Sequence, residues 1–464
     1  MTDRKEKPPT SRLGRLARLA GLGTKSIPVA AQAARRVLAR RQETQETPEE
    51  AEAARARLTE ETKKAAEAML KTLGEMKGLP LKVGQMLSYI DGVAPPGYEE
   101  KFQETLKKLQ DKAPPLSPEA AVRVVTEELG APPDEIYAAW EVEPFAAASI
   151  GQVHRAVTKS GDRVAVKVQY PGIDKAIRND LKSINLFGTM MGPLATKVNA
   201  KEGLQEMTEV FLSELDYTRE AEMADLFRRM HQDDPDIVIP RVFQSLSTRR
   251  VLTTQLLEGT SYATFTEHAD QAARDRSGLA IWRFMFRSLL EYGYLYADPH
   301  PGNYRFLDDG RVGFLDFGCI KCIGPELIGG VKRYMVAAID QDWEAFDRAC
   351  VEVLDYKPDD ATWDLYRAYT LELLRPITEP EWQCSPESAR RAVTFIADGL
   401  KELTMEESGF PAIPHVPNMP RQFMFMNRLQ WGLASVMGGI GTRAPFRDVI
   451  DPWVRNGVAP IPTS

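Results

Sequence analysis

YADPHPGNYRFLDDGRVGFLDFG, residues 296–318, sets two aspartates and an asparagine along a loop, a hairpin and the turn after it. Asn303 follows Asp298 by five positions, and Asp316 stands thirteen further on, heading Asp-Phe-Gly. Between the apolar runs at 304–307 and 312–315, Asp308-Asp309-Gly310 is a strong hairpin signal, because such turns need the positive φ that glycine accepts freely. Carboxylate and carboxamide oxygens are hard ligands of the kind Mg²⁺ selects. An isolated Asp-Phe-Gly arises easily by chance. The combined spacing with a hairpin between is far more specific.

Transfer or hydrolysis of a γ-phosphoryl group needs metal ions bridging the phosphates and a carboxylate that orients the nucleophile. In that pattern Asp298 is the base or orienting group, and Asn303 and Asp316 are the Mg²⁺ ligands. A nucleotide also needs a lysine on its α- and β-phosphates. RVAVKVQYPGI supplies Lys167, alternating with Val164, Val166 and Val168 in the manner of a kinase Val-Ala-Ile-Lys strand. A lysine among valines is costly unless its charge is used or paired. EVFLSELDYTREAEM offers Glu214, Asp216, Glu220 and Glu222 as partners. Glu214 and Glu220, six apart, do not share one stripe of an ideal helix and so serve different partners. The plain alternative for such a run is a solvated acidic face.

One usual component is missing. No G-x-G-x-x-G precedes the lysine strand; PFAAASIGQVH stands there, with Ala146, Ala147, Ala148 and Ser149 ahead of Gly151. Alanines let backbone N–H groups approach phosphate less freely than glycines do. Nor does an activation segment follow Gly318, and Gly324-Pro325-Glu326 reads as a helix start.

The chain of 464 residues is 43% hydrophobic and 27% charged, and its length suggests two or three structural units. Its net charge of −7 is unevenly placed: eight basic residues and no acid lie between Ser11 and Arg41. SRLGRLARLAGLG has leucines and arginines at helical spacing, as a stretch resting on an anionic bilayer would. A solvated arm and an organellar transit peptide are the alternatives. Cys319, Cys322, Cys350 and Cys384 form no disulfide framework, and the single CxxC is read as incidental. No apolar window long enough to span a bilayer is apparent; the nearest, 423–441, contains Asn427, Arg428 and Gln430 and reads as a packed helix.

Along the chain, 1–50 reads as a basic arm and linker, 51–139 as a helical extension, 140–258 as a small sheet with inserted helices, and 259–464 as a helical half. A helix pair is expected at 118–139 and helices at 203–230 and 272–293, with strands in ASIGQVHRAVT, RVAVKVQY, DIVIPRVFQSLS and RRVLTTQLL. The expected fold class is therefore α+β.

With LKVGQMLS, LQDKAPP, PFAAASIGQVH, VAVKVQYPGI, ELDYTREA, ADPHPGN and DFG in this order across roughly 80–320, the chain resembles the UbiB/AarF (ADCK-type) atypical kinases. The resemblance implies a bilobal protein-kinase-like fold with a helical N-terminal extension and a mostly helical C-lobe. It implies that Lys82 and Gln85, of the Lys-x-Gly-Gln motif, belong to the site, Lys82 pairing with Glu214 and Lys167 with Glu220. It implies ATP and Mg²⁺, and a small or lipid substrate or water in place of a protein. It also implies a link to ubiquinone or other isoprenoid lipids and peripheral contact with the inner face of a membrane from a cytoplasmic position. A lipid or quinone precursor is thus an expected ligand, and nucleic acid is not an expected partner. Tyr296 and Gln255 depart from the residues common in the family at their positions. A nucleotide-sensing scaffold for lipid enzymes is the alternative, and Asp298 argues against it, since a pure sensor needs no base. Small soluble metabolites are a third substrate class, one that gives Lys82 and Gln85 no purpose.

Overall fold

The computed structural model describes residues 117–148, 150–175, 177–178, 212–358, 362–407 and 422–462. The basic arm, the expected helices between 51 and 116, and Lys82, Gln85 and Ser149 lie outside the described residues. By internal contacts the described residues fall into two compact units, one holding 117–124, 143–148, 150–153, 169–175 and 177–178, the other 125–142, 154–168 and the described residues from 212 on.

In the first unit, β2 (Ala146–Ala148) pairs antiparallel with the start of β3 (Gly151–Thr158), Ala146 opposite Val153 and Ala148 opposite Gly151. Three of the expected phosphate-loop residues, Ala146 to Ala148, are therefore one arm of a tight hairpin.

The second unit carries an antiparallel ladder in the order β1 (Tyr137–Trp140), β3, β4 (Arg163–Gln169), β6 (Val251–Gln255). In β4 the side chains of Val164, Val166 and Val168 are fully buried, while Ala165 and Lys167 face the other way, half-buried. This is the period-2 alternation of a strand. Each such valine contributes about 1.5–3 kcal/mol of burial, so the register that turns Lys167 off the core is firmly held. Lys167 stands opposite Leu252 of β6.

Upstream, α1 (Pro118–Leu129) ends at Gly130, whose φ of +84° turns the chain, and α2 (Pro133–Ile136) is a single turn. The expected helix pair at 118–139 is present as α1 and α2 but ends sooner: Tyr137–Trp140 pairs with β3, and Tyr137 is buried. Helix α3 (Tyr217–Met230) starts where the Asp216 side chain accepts from Thr218 N at 3.0 Å. Tyr217, Glu220, Ala221, Ala224, Phe227 and Met230 form its buried stripe, at the spacing of one helix face. DIVIPRVFQSLS forms no long strand. Gln244–Leu246 is a 3-10 turn, and only β5 (Ile237–Val238) is a strand there, running parallel to β9 (Val312–Phe314). Pro240 follows directly and lacks the N–H a ladder requires.

Beyond α4 (Tyr262–His268), α5 (Gln271–Phe286) runs into a π-helical turn at Arg287–Glu291. Strand β7 (Tyr294–Tyr296) leads into the loop quoted at the outset, and β8 (Tyr304–Phe306) pairs with β9 across a turn where Gly310 takes φ +84°. Strand β10 (Ile320–Cys322) then returns against β7. The rest is mainly helical: α6 (Pro325–Ile339), α7 (Trp343–Leu354), α8 (Trp363–Thr378), α9 (Pro386–Glu407), α10 (Gln422–Ile440) and α11 (Phe446–Arg455), with β11 (Trp382–Gln383) paired to β12 (Arg443–Ala444). Among the described residues no helix is long and apolar enough to cross a membrane.

Candidate active site

An aromatic cluster lies beneath the site. Phe317, the middle residue of Asp-Phe-Gly, packs 5.5 Å from Phe227 of α3 and 6.0 Å from Tyr296 of β7. Phe284 of α5 stacks on Phe314 of β9 at 3.7 Å and meets Phe227 at 5.5 Å. Since Phe227 is two turns along α3 from Glu220, this core ties the segment carrying Asp316 to the helix carrying Glu220.

Above it, Lys167 Nζ donates to both Glu220 carboxylate oxygens, at 2.9 and 3.0 Å, and to Asp316 Oδ2 at 3.3 Å. The Tyr217 ring lies 5.0 Å from the ammonium, a cation–π contact. Burial pushes the lysine down, but the Asp316 and Glu220 charges outweigh it and hold Lys167 well above the usual lysine range. Burial drives Glu220 up to about 7 against the pull of Lys167, with Asp316 and Glu214 adding to the rise. Several carboxylates thus share one ammonium, and a further cation would relieve them.

Gly318 explains how the acids converge. A Cβ there would lie 3.2 Å from Asp316 Oδ1, 3.6 Å from Glu214 Cγ and 3.8 Å from Glu220 Oε2. Glu214 is itself buried. The Gly318 N–H donates to Asp316 Oδ1 at 2.9 Å, which leaves Asp316 gripped at both oxygens, by Lys167 and by its own turn.

The Asp298 loop is braced through its backbone. The Asp298 carbonyl accepts from His300 N at 2.7 Å and from Asn303 Nδ2 at 2.9 Å. Ala297 N donates to Cys319 O at 3.0 Å, and Leu315 N donates to Asn303 O at 3.0 Å, which fixes the loop to both flanks of Asp316. His300 Nδ1 accepts from Gly302 N at 3.0 Å and holds the turn. Among the described residues no group of three or more His, Cys, Asp or Glu is placed to hold a metal ion. The donor set of Asp316 and Asn303 instead fits Mg²⁺, which typically takes one or two carboxylates and completes its shell with phosphate and water.

The structure therefore brings together Lys167, Glu220 and Asp316, sets Glu214 next to them around Gly318, and braces Asp298 with Asn303. Two contributors escaped the sequence reading. Tyr217 was signalled only by its place one turn before Glu220. Gly432 of α10 lies so close to the Asp298 loop that a Cβ would meet Pro299 Cγ at 2.5 Å, a contact between residues over a hundred positions apart that leaves no local trace.

The family model of the ABC1 atypical kinase-like domain matches residues 108–350. The chain is 33% identical over 284 residues to the mitochondrial atypical kinase COQ8B of Rattus norvegicus, covering 61% of this chain and 53% of that protein. It is 33% identical over 289 residues to the chloroplastic ACTIVITY OF BC1 COMPLEX KINASE 3 of Arabidopsis thaliana, covering 60% and 39%. The chain thus spans about half or less of these relatives. Among solved structures, Rv3197 of Mycobacterium tuberculosis, determined as a complex with erythromycin, is similar with a TM-score of 0.60 and 26% identity, covering 86% of this chain and 97% of that one.

Proposed function

The chain belongs to the ABC1 atypical kinase-like family, and from that premise we propose that it binds ATP with Mg²⁺ and transfers or hydrolyses the γ-phosphoryl group. The observation that carries this reading is the buried clamp of Lys167 on Glu220, with Asp316 at 3.3 Å. Glu220 orients the ammonium, which donates to phosphate oxygens once it gives up Asp316. Asp316 and Asn303 would hold Mg²⁺, which would neutralise charge on the phosphates. Asp298 takes the proton of the attacking hydroxyl or water, its backbone held by Asn303 and His300 so that the carboxylate keeps its aim.

In the same reading residues 140–258 form the smaller lobe and 259–464 the larger, with 51–139 as an extension. Lys82 and Gln85 of that extension, Lys82 with Glu214, close the site against protein substrates, and the alanine hairpin 146–148 with Ser149 and Gly151 covers the phosphates. The acceptor is then water or a small or lipid molecule of ubiquinone or related isoprenoid metabolism, met at a membrane surface that the basic arm contacts.

The test is ATP titration and Mg²⁺-dependent phosphate release by wild type and Lys167→Met, with and without anionic liposomes and quinone-like phenols. Loss of charge-assisted hydrogen bonds of about 1.5–3 kcal/mol should weaken ATP by about ten- to a hundredfold. Liposomes or phenols should raise turnover. ATP affinity untouched by Lys167→Met would refute the nucleotide reading, and indifference to both additives would refute the lipid one.

A further inference from the structure

Arg305 of β8 lacks the pairing that half-buried arginines of this chain otherwise have. Arg283 meets Asp234 and Asp236, and Arg287 meets Asp233 and Glu291. Tyr304 and Phe306 are buried on the core face of β8, whereas Arg305 turns to the opposite face and is half-buried there. Among the described residues no carboxylate pairs with it, and its hydrogen bond is from Nη1 to the Tyr304 carbonyl at 3.0 Å. Burial pulls the guanidinium below the usual arginine range, with no acid opposing the shift. A cation drawn part-way out of water costs free energy unless a partner compensates it.

Its place in the fold says what that partner is. Leu315 N donates to Asn303 O, and Arg305 stands opposite Gly313. Asn303 and Arg305 therefore share one face of the β8–β9 hairpin, two residues or about 7 Å apart. Gly313 adds no side chain to that face. A Cβ there would lie 2.8 Å from Leu257 Cδ1, so the leucine leans over the hairpin beside Arg305. Leu257 follows β6, five residues beyond the Leu252 that stands opposite Lys167. With phosphates held between Lys167 and Asn303, the space beside Leu257 and Arg305 lies towards the other end of a bound nucleotide.

We propose that the Arg305 guanidinium is the platform on which the base of the nucleotide stacks, with Leu257 beside it. The inference rests on the nucleotide reading above and names what holds the end of the ligand that Lys167 and the Mg²⁺ ligands do not reach. A guanidinium is planar, weakly hydrated and stacks on aromatic faces, and the bond from Nη1 to Tyr304 O anchors its plane. Every base offers a π-face, so such a platform tolerates a change of base. Pairing with a base edge would instead favour guanine, whose O6 and N7 accept from arginine together.

The test is calorimetric titration of the full chain with ATP, GTP and tripolyphosphate, each with Mg²⁺; tripolyphosphate has no base. Arg305→Ala should weaken ATP and GTP alike by about tenfold, the worth of a desolvated cation–π contact, and leave tripolyphosphate within about twofold. Arg305→Lys keeps the charge without the plane and should recover only part of the loss. Arg305→Gln, of similar reach and no charge, serves the same comparison should Arg305→Ala fail to fold. Unchanged ATP affinity, an equal loss for tripolyphosphate, or a loss confined to GTP would overturn the proposal and leave the nucleotide reading standing. Failure of the wild type to bind ATP would remove both.

Discussion

Replacing Gly432 by alanine puts a methyl group where α10 touches the Asp298 loop. The new Cβ would lie 2.5 Å from Pro299 Cγ, about 1 Å inside ordinary carbon–carbon contact. The proline ring is part of the backbone and cannot rotate away, so the loop or the helix must shift by about that 1 Å. A displacement of this size at a reacting group costs on the order of a hundredfold in rate. Stability should change much less: overpacking costs about 1–3 kcal/mol, and replacing a mid-helix glycine returns about 1 kcal/mol. Gly329→Ala on α6 is the control, since its Cβ would find nothing nearer than Arg333 Nη1 at 4.0 Å. Phosphate release and urea unfolding measured on both variants should show kcat reduced ten- to a hundredfold in Gly432→Ala alone, with both proteins folded. A folded Gly432→Ala with the wild-type kcat would refute the idea that α10 positions the loop.

Phe317→Ala removes a buried ring from the contacts with Phe227 and Tyr296, so urea unfolding should show a loss of about 3–5 kcal/mol. His231 is held neutral, because burial first and the Arg287 charge second lower it to about 3. With the folded value below the unfolded 6.5, its contribution is whole above pH 6.5 and is lost as the pH falls towards 3. Between pH 6.5 and 5 this amounts to about 2 kcal/mol. Unfolding of His231→Gln across that range should lack this part of the decline, and a slope equal to that of wild type would contradict the assignment.

How far the sequence could be read depended on how local each feature is. The valine alternation around Lys167 and the Asp-Gly turn ahead of Asp316 are written within a few residues, so their strands were legible. Pro325 likewise marked the start of α6. The segment DEIYAAW carries alanines and acids that suit a helix, and only pairing with β3 makes Tyr137–Trp140 a strand. The parallel pairing of Ile237 with Val312 and the cluster of Phe227, Phe284 and Phe317 join distant segments, and periodicity carries no record of which distant partner a residue meets.

The reading of Asp298 as the group that activates the attacking hydroxyl or water is tested most directly by Asp298→Asn, with ATP affinity and phosphate release measured on the same sample. The account predicts affinity within about threefold of wild type, because Lys167, Glu220 and Asp316 are untouched, and turnover reduced by about 10²-fold or more, the typical share of a general base. Phosphate release at the wild-type rate from the asparagine variant would contradict it.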